Sequence, residues 1–97
     1  MQIVAARLSF HLPASNSLKD KRQVSKSLVS RLRQRFNVSV AEVDGHDRWQ
    51  TLVLGLACVS NHAGHANQML DVIVDYIHAL RLDAELVEVE RETMGGP

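Results

Sequence analysis

The stretch from Ser17 to Phe36 limits what this chain can fold into, because its apolar residues recur at the spacing of an α-helix. These residues are Leu18, Val24, Leu28, Val29, Leu32 and Phe36. At about 100° per residue they fall on one side of the helix, which we predict to be buried against the rest of the domain. Ser17 and Asp20 have the spacing of a capping box, so the predicted helix begins near Leu18.

The same stretch carries most of the positive charge. Against one acid it holds seven of the eleven basic residues, namely Lys19, Lys21, Arg22, Lys26, Arg31, Arg33 and Arg35. No acidic partners stand at helical spacing to neutralise them. We therefore predict that an anion such as RNA phosphate is bound by Lys19, Lys21, Arg22, Lys26 and Arg33, which lie beside the buried side or, for Lys21, near its end. A basic face that is only solvated is the competing interpretation.

Composition limits the rest of the interpretation. A chain of 97 residues that is 45% hydrophobic can bury one core, so we predict one domain. The net charge is zero, yet residues 1–48 hold nine basic and four acidic side chains, while residues 49–97 hold two and seven. The single cysteine, Cys58, excludes an internal disulfide and a cysteine-cluster metal site. Because no membrane span or secretion signal is recognisable, we expect a cytoplasmic protein.

Apolar patterns along the chain predict the order strand, helix, strand, strand, helix, strand. The predicted strands cover residues 1–12, 38–44, 49–60 and 83–92, and the second helix runs from a cap at Ser60 or Asn61 to about Leu82. With right-handed crossovers, this order gives an α+β, ferredoxin-like βαββαβ sandwich, in which a four-stranded antiparallel sheet carries both helices on one face. The domain is predicted to cover residues 1–92 and to be followed by a flexible tail, 93–97.

The sheet face that the helices leave uncovered is predicted to be apolar. If Leu52, Leu54 and Leu56 point to the helices, the residues that point away are Thr51, Val53, Gly55, Ala57, Val59, Ile3, Ala5, Val87 and Val89. Covering apolar surface is worth roughly 25 cal/mol per Å², so we predict a homodimer through this face. The phase of the second strand stays open, because Val38 and Val40 compete with Ala41 and Val43 for the core side.

Five short runs stand out together: His11-Leu12-Pro13, SLKDKR from Ser17, FNVSVAEV from Phe36, Trp49-Gln50, and LGLACVS from Leu54. With these runs the chain resembles the YlxP-like family of small bacterial proteins of unknown function. The resemblance implies a ferredoxin-like fold, a bacterial cytoplasmic protein, and genes that commonly neighbour those for a translation initiation factor and ribosome-binding factor A. It implies no activity and no catalytic residues.

Few residues suggest chemistry. His62 and His65 lack the nearby acid that would complete a metal site, so no metal and no cofactor are expected. His11 is a candidate contributor to a site at the start of the basic helix, as a general base, although such a histidine more often ties down a strand end. Glu42 is predicted to neutralise Arg7 or a lysine of the helix.

We therefore expect no enzymatic activity and predict an accessory factor that associates with RNA or the ribosome. Binding would be through phosphates, because the basic helix has no exposed aromatic residue on which a base could stack. The alternative is a homodimeric protein-interaction module whose basic helix docks an acidic protein partner.

Overall fold

The computed structural model describes residues 1–97 and confirms the predicted ferredoxin-like order. Its elements are β1 (Gln2–His11), α1 (Leu18–Arg35), β2 (Ser39–Asp44), β3 (Thr51–Ser60), α2 (Ala63–Ala79) and β4 (Glu85–Gly95). Every neighbouring pair of strands is antiparallel, in the sheet order β2-β3-β1-β4. Neither helix is both long and apolar enough to cross a membrane.

Alternation along the two central strands builds one core between the sheet and both helices. Its buried members are Val4, Ala6, Leu8, Phe10 and Leu12 from β1 and its end, Val40 from β2, Leu52, Leu54, Leu56 and Cys58 from β3, Leu28 and Leu32 from α1, and Ala66, Leu70, Ile73 and Ile77 from α2. Of the two alternatives for β2, the structure therefore has Val40 pointing into the core. Ala41 and Val43 are exposed on the other face of the strand. Burial in this core raises the pKa of the Cys58 thiol.

The first residue of each helix is set by a side chain that caps the helix N-terminus. α1 begins at Leu18 as predicted, because the Ser17 hydroxyl accepts the Asp20 amide at 3.1 Å. The predicted caps of α2 are wrong. Ser60 still belongs to β3 and its hydroxyl accepts the amide of His62 at 3.2 Å, so His62 becomes the cap and its Nδ1 accepts the Gly64 amide at 3.2 Å.

Strand β4 departs from the prediction in two ways. It continues to Gly95, which pairs with Gln2, so a flexible tail beginning at residue 93 is wrong and only the last two residues lie beyond the strand. It also contains a bulge, because Ser9 pairs with Glu88 while Phe10 pairs with Leu86, which leaves Val87 as the extra residue.

The bulge changes which face the following residues occupy. Val89 lies opposite Leu8 and packs against the core, so its predicted place on the uncovered face is wrong. Val87 is 61% exposed, and Glu88 lies on the uncovered face beside Ser9. The periodicity of two that held along β1 and β3 is therefore broken once in β4, between Leu86 and Glu88.

Candidate nucleic-acid interface

One side of α1 carries four exposed cations, Lys19, Arg22, Lys26 and Arg33, which we call the basic flank. Their separations of three, four and seven residues keep them on the same side of a helix. None of the four forms an ion pair, since the ion pairs of this structure use Arg7, Lys21, His46 and Arg91. The basic flank is therefore exposed and uncompensated over about 21 Å of helix, at 1.5 Å of rise per residue.

The C-terminal end of the basic flank is fixed to the edge of the sheet. The Arg33 guanidinium donates through Nη2 to the carbonyl oxygen of Val40 at 2.7 Å. This bond occupies one of five donors, so the others stay free to bind an anion. The side chains of Lys19, Arg22 and Lys26 donate no hydrogen bond within the chain, which leaves their full charge to solvent or to a ligand.

Lys21 does not belong to this surface, and its predicted role in binding an anion is wrong. Its side chain is 2% exposed, and its ammonium donates to the carbonyl oxygens of Gly45 at 2.5 Å and Arg48 at 2.9 Å. Glu42 Oε2 lies 3.2 Å from the same nitrogen. Position 21 is seven residues before Leu28 and so lies on the buried side of α1. The expectation that Glu42 neutralises a helix lysine is confirmed.

Lys21 also determines where the β2–β3 loop lies. By donating to two of the loop's carbonyl oxygens, it fixes residues 45–48 beside the first turn of α1. The exposed side chain of Arg48 is carried on this loop and forms no ion pair. Sequence reasoning missed the placement of this loop beside α1, because it depends on a contact between Lys21 and a residue 27 positions later in the chain.

The opposite side of α1 uses its cations differently. The Arg35 guanidinium lies 4.8 Å from the centre of the Tyr76 ring, which also meets Phe36 edge-to-face at 5.5 Å. Arg31 donates from Nε to the Ser27 hydroxyl at 3.3 Å. These arginines lie toward α2 and are not part of the basic flank, so they offer a matched control on the same helix.

The structure does not bring the histidines to the basic flank. His11 is exposed and lies between the buried residues Phe10 and Leu12, so it faces away from the helices, and its predicted contribution to a site at the start of α1 is wrong. His62 caps α2, and His65 Nδ1 lies 3.3 Å from the Ser60 hydroxyl. No group of three or more potential metal ligands is found in residues 1–97.

Comparison with known proteins places the chain in a family. Residues 3–91 match the family described as "Protein of unknown function (DUF503)". The chain belongs to the DUF503 family. The chain is also 35% identical to the Uncharacterized protein YlxP of Bacillus subtilis (strain 168) over 63 residues. The aligned region covers 65% of this chain and 68% of that protein. The resemblance to YlxP-like proteins is thereby confirmed.

A solved structure gives independent support for the fold of this DUF503 chain. It is similar to the de novo designed protein Foldit4, with a TM-score of 0.54 over the whole of both chains. The sequence identity is 13%, so the similarity concerns the fold alone.

Proposed function

We propose that this protein is a non-enzymatic accessory factor that associates with RNA or ribosomal particles in the cytoplasm. RNA phosphates are bound by the basic flank, which is formed by Lys19, Arg22, Lys26 and Arg33. The observation that supports this proposal most is that all four cations are exposed and that none is paired with a carboxylate, in a chain that has as many acids as bases. An uncompensated cationic stripe on a helix attracts a polyanion.

The distribution of the acids supports the same proposal. Four glutamates of β4, Glu85, Glu88, Glu90 and Glu92, lie across the sheet from α1, on the strand at the opposite edge from β2. The molecule is therefore dipolar, with its basic flank at one edge of the sandwich and these four glutamates at the other. A dipolar domain binds a polyanion in one orientation, which suits a factor that recognises backbone rather than base sequence.

Charge reversal on the two sides of α1 tests the proposal. The double variant Arg22→Glu, Lys26→Glu changes residues of the basic flank that make no contacts of their own, and the control Arg31→Glu, Arg35→Glu makes the same change in charge on the other side. We expect a fluorescence anisotropy titration with a ribosomal RNA fragment in low salt to show a loss of roughly 100-fold in affinity for the first variant, because up to four charges are altered near phosphates. The control should retain most of the affinity. Equal losses would mean that only net charge matters and would contradict the proposal.

An acidic protein partner is the alternative ligand for the same flank. Carboxylates and phosphates are both bound by exposed Lys and Arg, and the outer side of α1 offers only uncharged residues besides, such as Gln23, Ser30 and Gln34. Affinity purification with and without nuclease separates the two ligands. The proposal expects the association with ribosomal particles to be lost after nuclease treatment, and an unchanged association would favour the protein partner.

The predicted homodimer would use the uncovered sheet face, which we call the open face. Ile3, Val59 and Met94 form an apolar row across it, but Val89 is absent from it. A two-fold axis parallel to the strands would lay the β4 glutamates over β2, whose residues include no cation, and an axis across the strands would lay them on their own copies. Neither arrangement gives the glutamates a counter-charge, so self-association is not part of the proposed function.

A further inference from the structure

The open face combines an apolar trough with one strongly acidic margin. Its floor is made of small residues. Ala5 of β1 pairs with Ala57 of β3, and Gly55 lies two residues before Ala57 on the same strand and face. A depression of about 440 Å³ lies over this floor, between Val43 on the β2 side and Glu90 and Glu92 on the β4 side. A second depression of about 310 Å³ continues it across Ala57 toward β2.

Gly55 and the β2 bulge shape one wall of the trough. Val43 is the extra residue between Glu42 and Asp44, and it is 52% exposed. Its side chain leans over Gly55, where an added Cβ would lie 2.7 Å from Val43 Cγ1. Because position 55 has no side chain, the side chain of Val43 can lie over the backbone of β3. Val43 thus forms an apolar wall of the trough, on the side opposite Glu90 and Glu92.

The acidic margin, formed by Glu88, Glu90 and Glu92, has no ion-pair partner within the chain. Glu88, Glu90 and Glu92 lie on the open face opposite Ser9, Arg7 and Ala5, and none of them forms an ion pair. Arg7 is the one cation of β1 on this face, and its guanidinium is held by Asp44 on the far side. A partner that covers the trough must therefore bring positive charge to the β4 side, since burying unpaired carboxylates is costly.

We propose that the open face binds a basic amphipathic helix of another protein, with its apolar side in the trough and its Lys or Arg residues over Glu88, Glu90 and Glu92. Alternate residues of a strand are about 6.6 to 6.8 Å apart. Side chains four residues apart on a helix rise about 6.0 Å. A helix lying along β4 thus matches each glutamate with a basic residue at every fourth position. This inference does not depend on whether the basic flank binds RNA.

Two other occupants fit the open face less well. RNA is disfavoured because its phosphates would meet three carboxylates in a row. A second copy of the chain is disfavoured because neither two-fold arrangement gives the β4 glutamates a counter-charge, and because the polar outer side of α1 has no apolar stripe to fill the trough. Charge complementarity therefore points to a basic partner that is not this chain.

A synthetic peptide tests the proposal. The probe is a fluorescent helical peptide of about 18 residues, with leucines on one side and lysines at every fourth position along the adjoining flank. We expect it to bind the full-length protein, and to bind the double variant Glu90→Lys, Glu92→Lys about ten-fold more weakly, since two ion pairs become repulsive. The control Asp75→Lys, Asp83→Lys makes the same change in charge at exposed sites outside the open face and should change the affinity less than about two-fold.

An uncharged change tests the apolar half. Ala57→Gln places a longer polar side chain on the floor of the trough and should weaken binding at least about three-fold, because the leucines can no longer fill it. Retained folding of each variant is checked by circular dichroism. Absence of peptide binding, equal weakening by Asp75→Lys, Asp83→Lys, or a wild-type dimer in sedimentation that Glu90→Lys, Glu92→Lys dissociates would each overturn the proposal.

Discussion

Among single residues, Lys21 and Lys26 have different roles: Lys21 stabilises the fold, whereas Lys26 is available to a ligand. Both are lysines of α1, five residues apart, yet the Lys21 ammonium is buried, donates to two carbonyl oxygens and pairs with a carboxylate, whereas Lys26 is exposed and has no partner. A buried ammonium that is held by two carbonyls and a carboxylate acts as a fixed part of the fold. An exposed and unpaired ammonium contributes little to stability and is available to a ligand.

Lys21→Met tests this division. Removing the ammonium leaves the carbonyls of Gly45 and Arg48 without a donor and Glu42 without its counter-charge, so we expect a loss of about 3 kcal/mol in the free energy of unfolding. Lys26→Met should change it by less than about 0.5 kcal/mol. Urea unfolding followed by circular dichroism measures both. Similar stabilities for the two variants would contradict the assigned role of Lys21.

The Asp44 carboxylate gives a prediction of pH dependence. The Gly45 amide, which donates to Oδ1 at 2.8 Å, and then the Arg7 guanidinium hold the pKa of Asp44 below its ordinary value of 3.8. A depressed pKa in the folded state stabilises the fold above the unfolded pKa, and this contribution is lost as the pH falls through the folded pKa. We therefore expect the wild type to be more stable than Asp44→Asn at pH 6 and to lose that advantage below about pH 3.8. A difference between the two proteins that stays constant from pH 6 to pH 2 would contradict it.

At the scale of elements, the bulge in β4 is the feature that most changes a surface. One extra residue, Val87, moves Val89 into the core and places Glu88, Glu90 and Glu92 on the open face. Strict alternation would have placed both valines on that face, so an apolar margin is replaced by an acidic one.

Two valine substitutions test the bulge. Val89→Asp should lower the free energy of unfolding by about 2 kcal/mol, because the carboxylate would be placed against the core beside Leu8. Val87→Asp should cost no more than about 0.5 kcal/mol, since its side chain is exposed. Thermal unfolding of the two variants compares them directly. Equal destabilisation would mean that β4 has no bulge and that both valines share one face.

The elements also show which parts of the structure can be predicted from sequence. The order of the elements and most core residues could be predicted from two patterns. These are the alternation along β1 and β3 and the helical spacing from Val24 to Phe36, and each depends only on residues within one segment. Lys21, Arg48 and Val89 were misplaced or missed because their positions depend on pairing between distant segments. Four cations of the candidate site followed from the helical wheel alone.

At the scale of the whole molecule, a net charge of zero conceals two differently charged regions. The basic flank runs along α1 near the β2 edge, and the glutamates line the open face along β4. The proposed ligands are matched accordingly, with RNA phosphates on the first region and a basic helix on the second. Because the regions lie at opposite edges of the sheet, the two proposed ligands use separate surfaces.

The salt dependence of RNA binding counts the phosphates that the basic flank neutralises. A single strand loses about 0.7 decades of affinity per decade of salt for each phosphate that is neutralised. For the four residues of the basic flank, a plot of log affinity against log salt concentration should have a slope of about −3, and Arg22→Glu, Lys26→Glu should reduce it to about −1.5 or less in magnitude. An unchanged slope in this variant, or a wild-type affinity that does not respond to salt, would contradict the claim that the basic flank binds RNA phosphates.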